Sequence, residues 1–260
     1  MFDAPIDLKK ARILLCNDDG IHAPGLNVLE KAVSGLCRDV WVVAPETEQS
    51  GASHSLTLQR PLRIRKISKQ RFAVDGTPTD SMLLAINHIL ADHKPDLVLS
   101  GINRGGNLGE DVTYSGTIAA AMEATLLGVP AIAFSQVAEN EETAKWSTAT
   151  AHFATLLRGL AGVGWPANVF VNVNFPDVTA DRVTGIKVTR QGRRKLGDEL
   201  VERQDPRGRN YYWIGAMRTE DTGQRGTDLE AVNKGAISVT PLYLNLTHDS
   251  TLRHLKKSLA

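Results

Sequence analysis

Through the first two thirds of the chain, short apolar runs alternate with segments whose apolar residues recur at helical spacing. Ile13-Leu14-Leu15-Cys16 stops abruptly at Asn17-Asp18-Asp19-Gly20. A run this short, closed by turn residues, predicts a buried strand of a parallel sheet over 12–16. Pro24 stands where a helix can begin, and Leu26, Leu29, Ala32, Val33 and Leu36 follow on one helical face. Strands over 40–44, 96–100, 131–134 and 168–173, with helices over 79–91, 116–127 and 143–161, continue the alternation. Residues 56–74 follow a different rhythm: Leu56, Leu58, Leu62, Ile64 and Ile67 lie among polar neighbours, which predicts a β-ribbon. The fold class is therefore α/β, a doubly wound, Rossmann-like, mostly parallel sheet in three α/β/α layers.

After Pro176 the pattern changes. Residues 177–235 are charged and contain short β-prone pieces, Ile186-Lys187-Val188-Thr189 and Tyr211-Tyr212-Trp213-Ile214, so an extended β-hairpin arm is expected. Its basic residues Arg190, Arg193, Arg194, Lys195, Arg203, Arg207 and Arg209 are interleaved with Asp198, Glu199, Glu202 and Asp205. That mixture predicts a solvated, internally paired surface and no nucleic-acid partner. Residues 237–242 return as a strand, and a short helix closes the chain. The expected organisation is one domain over 1–260, with a core of about 12–176 plus 236–246, the arm, and a tail over 247–260.

Composition narrows the class without naming a function. The 260 residues are 42% hydrophobic and 23% charged, as in an ordinary globular protein. A net charge of +1 exerts no global pull on nucleic acid or membrane. No run approaches the ~20 apolar residues that span a bilayer. The N-terminus lacks the apolar stretch of a secretory signal, so a cytoplasmic location is expected. Cys16 and Cys37 lack metal-ligand spacing and are expected as reduced core thiols.

Chemistry concentrates beyond the predicted strand ends, where open parallel sheets carry their ligands. Asp18 and Asp19 repel one another, and a hard divalent cation relieves that repulsion through oxygen ligands. Ser50, in the loop after the second strand, and Asn103, in the Gly-rich loop 100–107, offer neutral oxygens suited to Mg²⁺ or Mn²⁺. Ser115 and Thr117, flanking Gly116 at a helix start, offer backbone N–H groups to an anion. Metal and anion sites on one sheet edge point to phosphate esters. Two other nucleotide and phosphoryl folds fail on the letters. A dinucleotide fold needs Gly-x-Gly-x-x-Gly after the first strand, where this chain has Asn-Asp-Asp-Gly. A phosphoacceptor receiver needs an aspartate where Gly101 stands.

The ordered set of motifs resembles the SurE family of survival-protein nucleotidases and phosphatases. It runs through Asn17-Asp18-Asp19-Gly20-Ile21, Val43-Ala44-Pro45 to Gln49-Ser50-Gly51, and Val74-Asp75-Gly76-Thr77-Pro78-Thr79-Asp80. Ser100-Gly101-Ile102-Asn103 with Gly105 and Asn107, then Tyr114-Ser115-Gly116-Thr117, Asn172-Val173-Asn174-Phe175-Pro176 and Gly226-Thr227-Asp228 complete it. The resemblance implies a metal-dependent phosphomonoesterase that cleaves nucleoside 5′- and 3′-monophosphates, and short polyphosphate besides. It implies one divalent ion per subunit held by Asp18, Asp19, Ser50 and Asn103, and a phosphate lined by Asn107, Ser115, Gly116 and Thr117. It further implies a homodimer or homotetramer built through the arm and C-terminal segments.

On this reading water attacks phosphorus, with Asp19 as the activating carboxylate, Asp18 mainly a ligand, and Asn107 stabilising the phosphoryl oxygens. Attack by a carboxylate itself is the open alternative. His22 and His54 are candidate leaving-group acids, and Asp80 is read as a cap or supporting partner. A nucleotide-binding regulatory module with little turnover is the alternative of a different class.

Overall fold

The computed structural model describes residues 5–139, 143–196, 200–215, 218–221 and 224–259. Asp198 and Glu199 of the expected mixed-charge surface lie outside the described residues. Strands β1 (Arg12–Cys16), β2 (Asp39–Pro45), β3 (Ile64–Ser68), β4 (Arg71–Val74), β5 (Leu97–Arg104), β6 (Ala131–Gln136) and β7 (Val169–Phe175) form most of one sheet. Strands β8 (Ile186–Val188) and β13 (Ile237–Tyr243) complete it, in the order β3-β4-β2-β1-β5-β6-β7-β13-β8. From β4 to β7 every pairing is parallel, whereas β13 runs against β7 and β3 against β4.

The chain leaves β1 for β2 on one side and later returns to β5 on the other. That reversal opens a crevice beyond the carboxyl ends of β1 and β5, where Asp18, Asp19 and Asn103 stand. Helices cover both faces: α1 (Pro24–Ser34) packs with α4 (Trp146–Ala161), and α2 (Pro78–Leu84) with α3 (Gly116–Leu126).

The central strands are buried on both faces, which is why they read as unbroken apolar runs. Leu14, Leu15, Leu99, Ile132 and Val173 are inaccessible to solvent. Phe134 of β6 packs at 5.1 Å between ring centroids on Phe153 of α4, and at 6.2 Å on Phe175 of β7. Phe153, Leu156 and Leu157 put the apolar stripe of α4 on the sheet. Both cysteines are buried and free.

Helix α2 begins with a reciprocal cap: the Thr77 hydroxyl accepts from the Asp80 N–H at 3.1 Å, and Asp80 accepts from the Thr77 N–H at 2.9 Å. Asp80 also accepts from the Thr57 N–H at 3.0 Å, so it fastens the 57 loop as well. This is the cap expected of it.

The ribbon expected over 56–74 is shorter than its alternation suggested. Only β3 and β4 pair, and Leu56 and Leu58 remain exposed. Period-two spacing makes a strand only where one face has something to bury against.

Beyond β7 the arm carries two small antiparallel ribbons. Strand β9 (Arg194–Leu196) pairs with β12 (Arg218–Glu220), and β10 (Leu200–Gln204) with β11 (Asn210–Ile214). Helix α5 (Asp228–Asn233) leads into β13, and α6 (Asp249–Leu259) ends the described chain with every residue exposed. The paired-surface expectation holds for Arg209, 2.8 Å from Asp205. It fails for Arg194, which is buried. Among the described residues, no helix is long and apolar enough to cross a membrane.

Candidate functional site

A cavity of about 260 Å³ opens at the crevice between β1 and β5. Asp18, Ser50, Asn103, Asn107 and Ser115 line it, so five of the residues singled out from the sequence share one cavity, while Asp19 is not part of its lining. Larger clefts lie around Pro5–Lys10 at the opposite end of the sheet. They lie at the strand amino ends, which are not where such sheets bind ligands.

Asp18 is buried, and desolvation raises its pKa above the ordinary carboxylate value. The Thr117 hydroxyl donates to it, and with the nearby Gly116 and Thr117 backbone N–H groups opposes that rise. The start of α3 therefore already holds an anion, and that anion is the protein's own carboxylate. Thr117 is fully buried, its hydroxyl is committed to Asp18, and neither it nor Gly116 lines the cavity. Ser115 does line it while capping the helix, accepting from the Ile118 N–H at 3.1 Å.

Asp19 is less buried than Asp18. Its pKa is pushed up to about 7, by burial first and the Asp18 charge second, against the opposing Arg104 backbone N–H and guanidinium. The Gln49 N–H donates to the Asp18 carbonyl at 2.8 Å and draws the 46–51 loop over the pair. Ser50 is exposed in that loop, with its hydroxyl donated to Glu48 at 2.8 Å. Asn103 donates its amide N–H to the Gly105 carbonyl at 2.8 Å, which leaves the amide oxygen as the end that can meet a cation.

Asn107 is held from three sides. Its N–H donates to Asn174 Oδ1 at 2.8 Å, and its carbonyl accepts from Asn172 at 2.8 Å and Asn174 at 3.1 Å. Its amide donates to Ser135 Oγ at 2.8 Å. The Asn-Val-Asn motif of β7 thus acquires a task that spacing alone had not assigned: alternate residues of one strand turn both amides to the same face.

Neither candidate histidine reaches the cavity. His22 is exposed, and His54 Nε2 lies 2.8 Å from Glu123. Four polar or charged lining residues carried no role from the sequence: Arg104, Asp111, Tyr114 and Arg194. Tyr114 sits inside a motif quoted above and Arg104 in the Gly-rich loop 100–107, whereas Arg194 lies in the charged arm.

Among the described residues no three His, Cys, Asp or Glu side chains converge as metal ligands. Two carboxylates with neutral amide and hydroxyl oxygens are a donor set of the kind that Mg²⁺ or Mn²⁺ takes. Two adjacent carboxylates whose ionisation burial opposes fit that set.

Fold and site together define a class: a doubly wound α/β protein with a carboxylate-lined cavity at its topological switch point. Residues 13–198 match the family model described as Survival protein SurE. A protein of Paramagnetospirillum magneticum called 5′-nucleotidase SurE is 61% identical over 255 residues, covering 98% of each chain. One of Rhodospirillum rubrum with the same name is 56% identical over 258 residues, again covering 98% of each. The crystal structure of the Sure protein from Aquifex aeolicus superposes with a TM-score of 0.84 at 42% identity, over 96% of this chain and 100% of that one. The chain belongs to the SurE family.

Proposed function

We propose that this protein is a nucleotidase, a metal-dependent phosphomonoesterase that releases phosphate from nucleoside 5′- and 3′-monophosphates, with short polyphosphate as a further substrate. The nucleotidase reading is supported by relatives of 61% and 56% identity named 5′-nucleotidase SurE. The observation that carries metal dependence is the Asp18–Asp19 pair: two desolvated carboxylates side by side, with raised pKa values. A divalent cation neutralises such a pair, and Asp18, Asp19, Ser50 and Asn103 are the residues proposed to hold it. When bound, that ion supplies positive charge to the phosphoryl oxygens and acidifies water.

The remaining work belongs to the chain's own groups. Thr117 and the N-terminus of α3 keep Asp18 oriented and favour its ionised form as a ligand. Asp19, the more accessible carboxylate, is the proposed acceptor of the proton that the attacking water loses. Asn107 and Ser115 are the proposed donors to the phosphoryl oxygens as charge shifts towards the leaving group. Asn107 suits that part because its backbone is already fixed by Asn172 and Asn174 and needs little reorganisation.

A homodimer or homotetramer formed through the arm is part of the proposal. It is supported by exposed apolar side chains on the β10–β11 ribbon: Leu200, Trp213 and Ile214 are 69%, 64% and 72% accessible. The test of function is a panel of nucleoside 5′- and 3′-monophosphates and tripolyphosphate, assayed for phosphate release with Mn²⁺, Mg²⁺ or chelator. Release that requires the metal supports the reading. Nucleotide binding without release favours a regulatory module.

A further inference from the structure

Arg194 belongs to β9 at the root of the arm, yet it is buried and lines the cavity. A buried guanidinium is tolerated only when its donors find acceptors. Here Nε donates to Asp111 Oδ2 at 3.0 Å, and Nη2 bonds the same oxygen. Nη2 also reaches the Gly106 carbonyl at 3.4 Å, and Nη1 reaches Glu220 Oε1 at 3.2 Å. The Arg194 N–H donates to Glu110. Apart from Glu220, every acceptor belongs to the segment that follows β5 and carries Asn107.

A second fastening runs alongside the first. Asp228 accepts from the Gly109 N–H at 3.0 Å and from the Gly192 N–H at 2.7 Å, joining the same loop to the arm two residues before Arg194. The fit is close: a Cβ at Gly109 would lie 2.8 Å from the Arg194 nitrogen. The loop is thus held from two sides. Asn172 and Asn174 hold its middle from the sheet, and Arg194 with Asp228 holds its far end from the arm.

We propose that Arg194 is a positioning residue: it holds the 105–111 loop, and Asn107 with it, in the geometry that receives a phosphoryl group. The arm therefore sets phosphate affinity as well as offering a surface to a partner. This rests on the phosphomonoesterase reading of the cavity. Two carboxylates already engage the guanidinium, so Arg194 acts through the loop and not as the principal counter-charge of the phosphate. A planar fork that reaches two carboxylates and a carbonyl is a task that lysine, with one point charge, cannot reproduce.

The test measures KM and kcat for a nucleoside 5′-monophosphate, inhibition by inorganic phosphate, Mn²⁺ affinity and thermal stability, all in the full-length protein. Arg194→Lys keeps the charge. It is expected to weaken phosphate inhibition and raise KM by on the order of tenfold, leaving Mn²⁺ affinity unchanged, because small misplacements in a site have large consequences. The double variant R194M/D111L removes both buried charges. It is expected to regain thermal stability over Arg194→Met while phosphate binding stays weak.

Wild-type KM and phosphate inhibition in either variant would overturn the inference and leave the reading of the site intact. Loss of Mn²⁺ affinity in Arg194→Lys would also overturn it, by showing a general structural role. If the wild-type protein with Mn²⁺ neither binds phosphate nor releases it from nucleotides, the underlying reading fails as well.

Discussion

The hydroxyl of Thr117, near the start of α3, donates to Oδ1 of Asp18, 99 residues away at the end of β1. One carboxylate oxygen is thereby spoken for, and the helix N-terminus faces the metal-binding candidate instead of open solvent. The arrangement reconciles two demands. Asp18 must be buried to act in a closed site, and it must stay charged to hold a cation. Thr117→Val keeps the volume and removes the donor. A hydrogen bond to a charged group contributes about 1.5–3 kcal/mol, so Mn²⁺ affinity should fall by at least about tenfold. Thr117→Ser should restore most of it. Titration calorimetry with Mn²⁺ checks both, and unchanged affinity in the valine variant would contradict the assignment.

Gly116 admits no side chain. A Cβ there would lie 2.7 Å from the Asp18 Cβ and 3.0 Å from its Oδ2. Gly116→Ala must push Asp18 or α3 aside, at a cost of about 1–3 kcal/mol typical of overpacking. The expected outcome is a lower melting temperature with a loss of phosphate release larger than that of Thr117→Val. Denaturant unfolding and steady-state assays measure the two effects, and wild-type activity in this variant would show that Asp18 need not be held so closely.

Asn174→Ala removes the acceptor of the buried Asn107 N–H, which costs about 1–3 kcal/mol when such a donor is left unmade. Activity should drop on the order of tenfold or more as Asn107 loses its bearing. Mn²⁺ binding should be spared, because Asp18 and Asp19 are anchored elsewhere. Comparing kcat/KM with metal affinity in the same preparation separates those expectations.

Acid stability should depend on Asp39, far from the cavity. Burial pushes its carboxyl up, but Arg12, Trp41 and Gln70 donate to it at 2.7, 2.8 and 2.7 Å, and the net effect lowers its pKa. With the folded-state value depressed, the unfolded chain binds more protons in the window below the ordinary carboxylate pKa of about 3.9. Stability from this group is complete above that value and is lost as pH falls through the folded-state pKa. Asp39→Asn should be less stable than wild type at neutral pH and show a shallower decline in acid. Equal slopes in thermal unfolding against pH would rule this out.

The sheet was legible because β1, β5, β6 and β7 are buried on both faces, so apolar runs such as Ile13–Cys16 mark them without ambiguity. Asp18 and Asp19 stood out for the same reason, as charges ending an apolar run. Residues 56–62 misled because alternation reports spacing and not whether a partner face exists. The roles of Thr117 and Arg194 were hidden for a different reason. Ser-Gly-Thr at a helix start looks like a cap that offers N–H groups, and only the packing of α3 against the end of β1 shows that the Thr117 hydroxyl meets Asp18. Arg194 sits among other arginines in a charged stretch, and its partner Asp111 lies 83 residues earlier. Long-range pairing of that kind leaves no local periodic signal.

The central claim is that Asp18 and Asp19 hold a divalent cation without which phosphate esters are not cleaved. The most direct measurement is phosphate release from a nucleoside 5′-monophosphate by chelator-stripped protein as Mn²⁺ is restored, with Asp18→Asn assayed in parallel. The expected result is no release until Mn²⁺ is added, saturation at one ion per chain, and no recovery in the variant. Full activity in the stripped wild-type protein, or in Asp18→Asn, would contradict it.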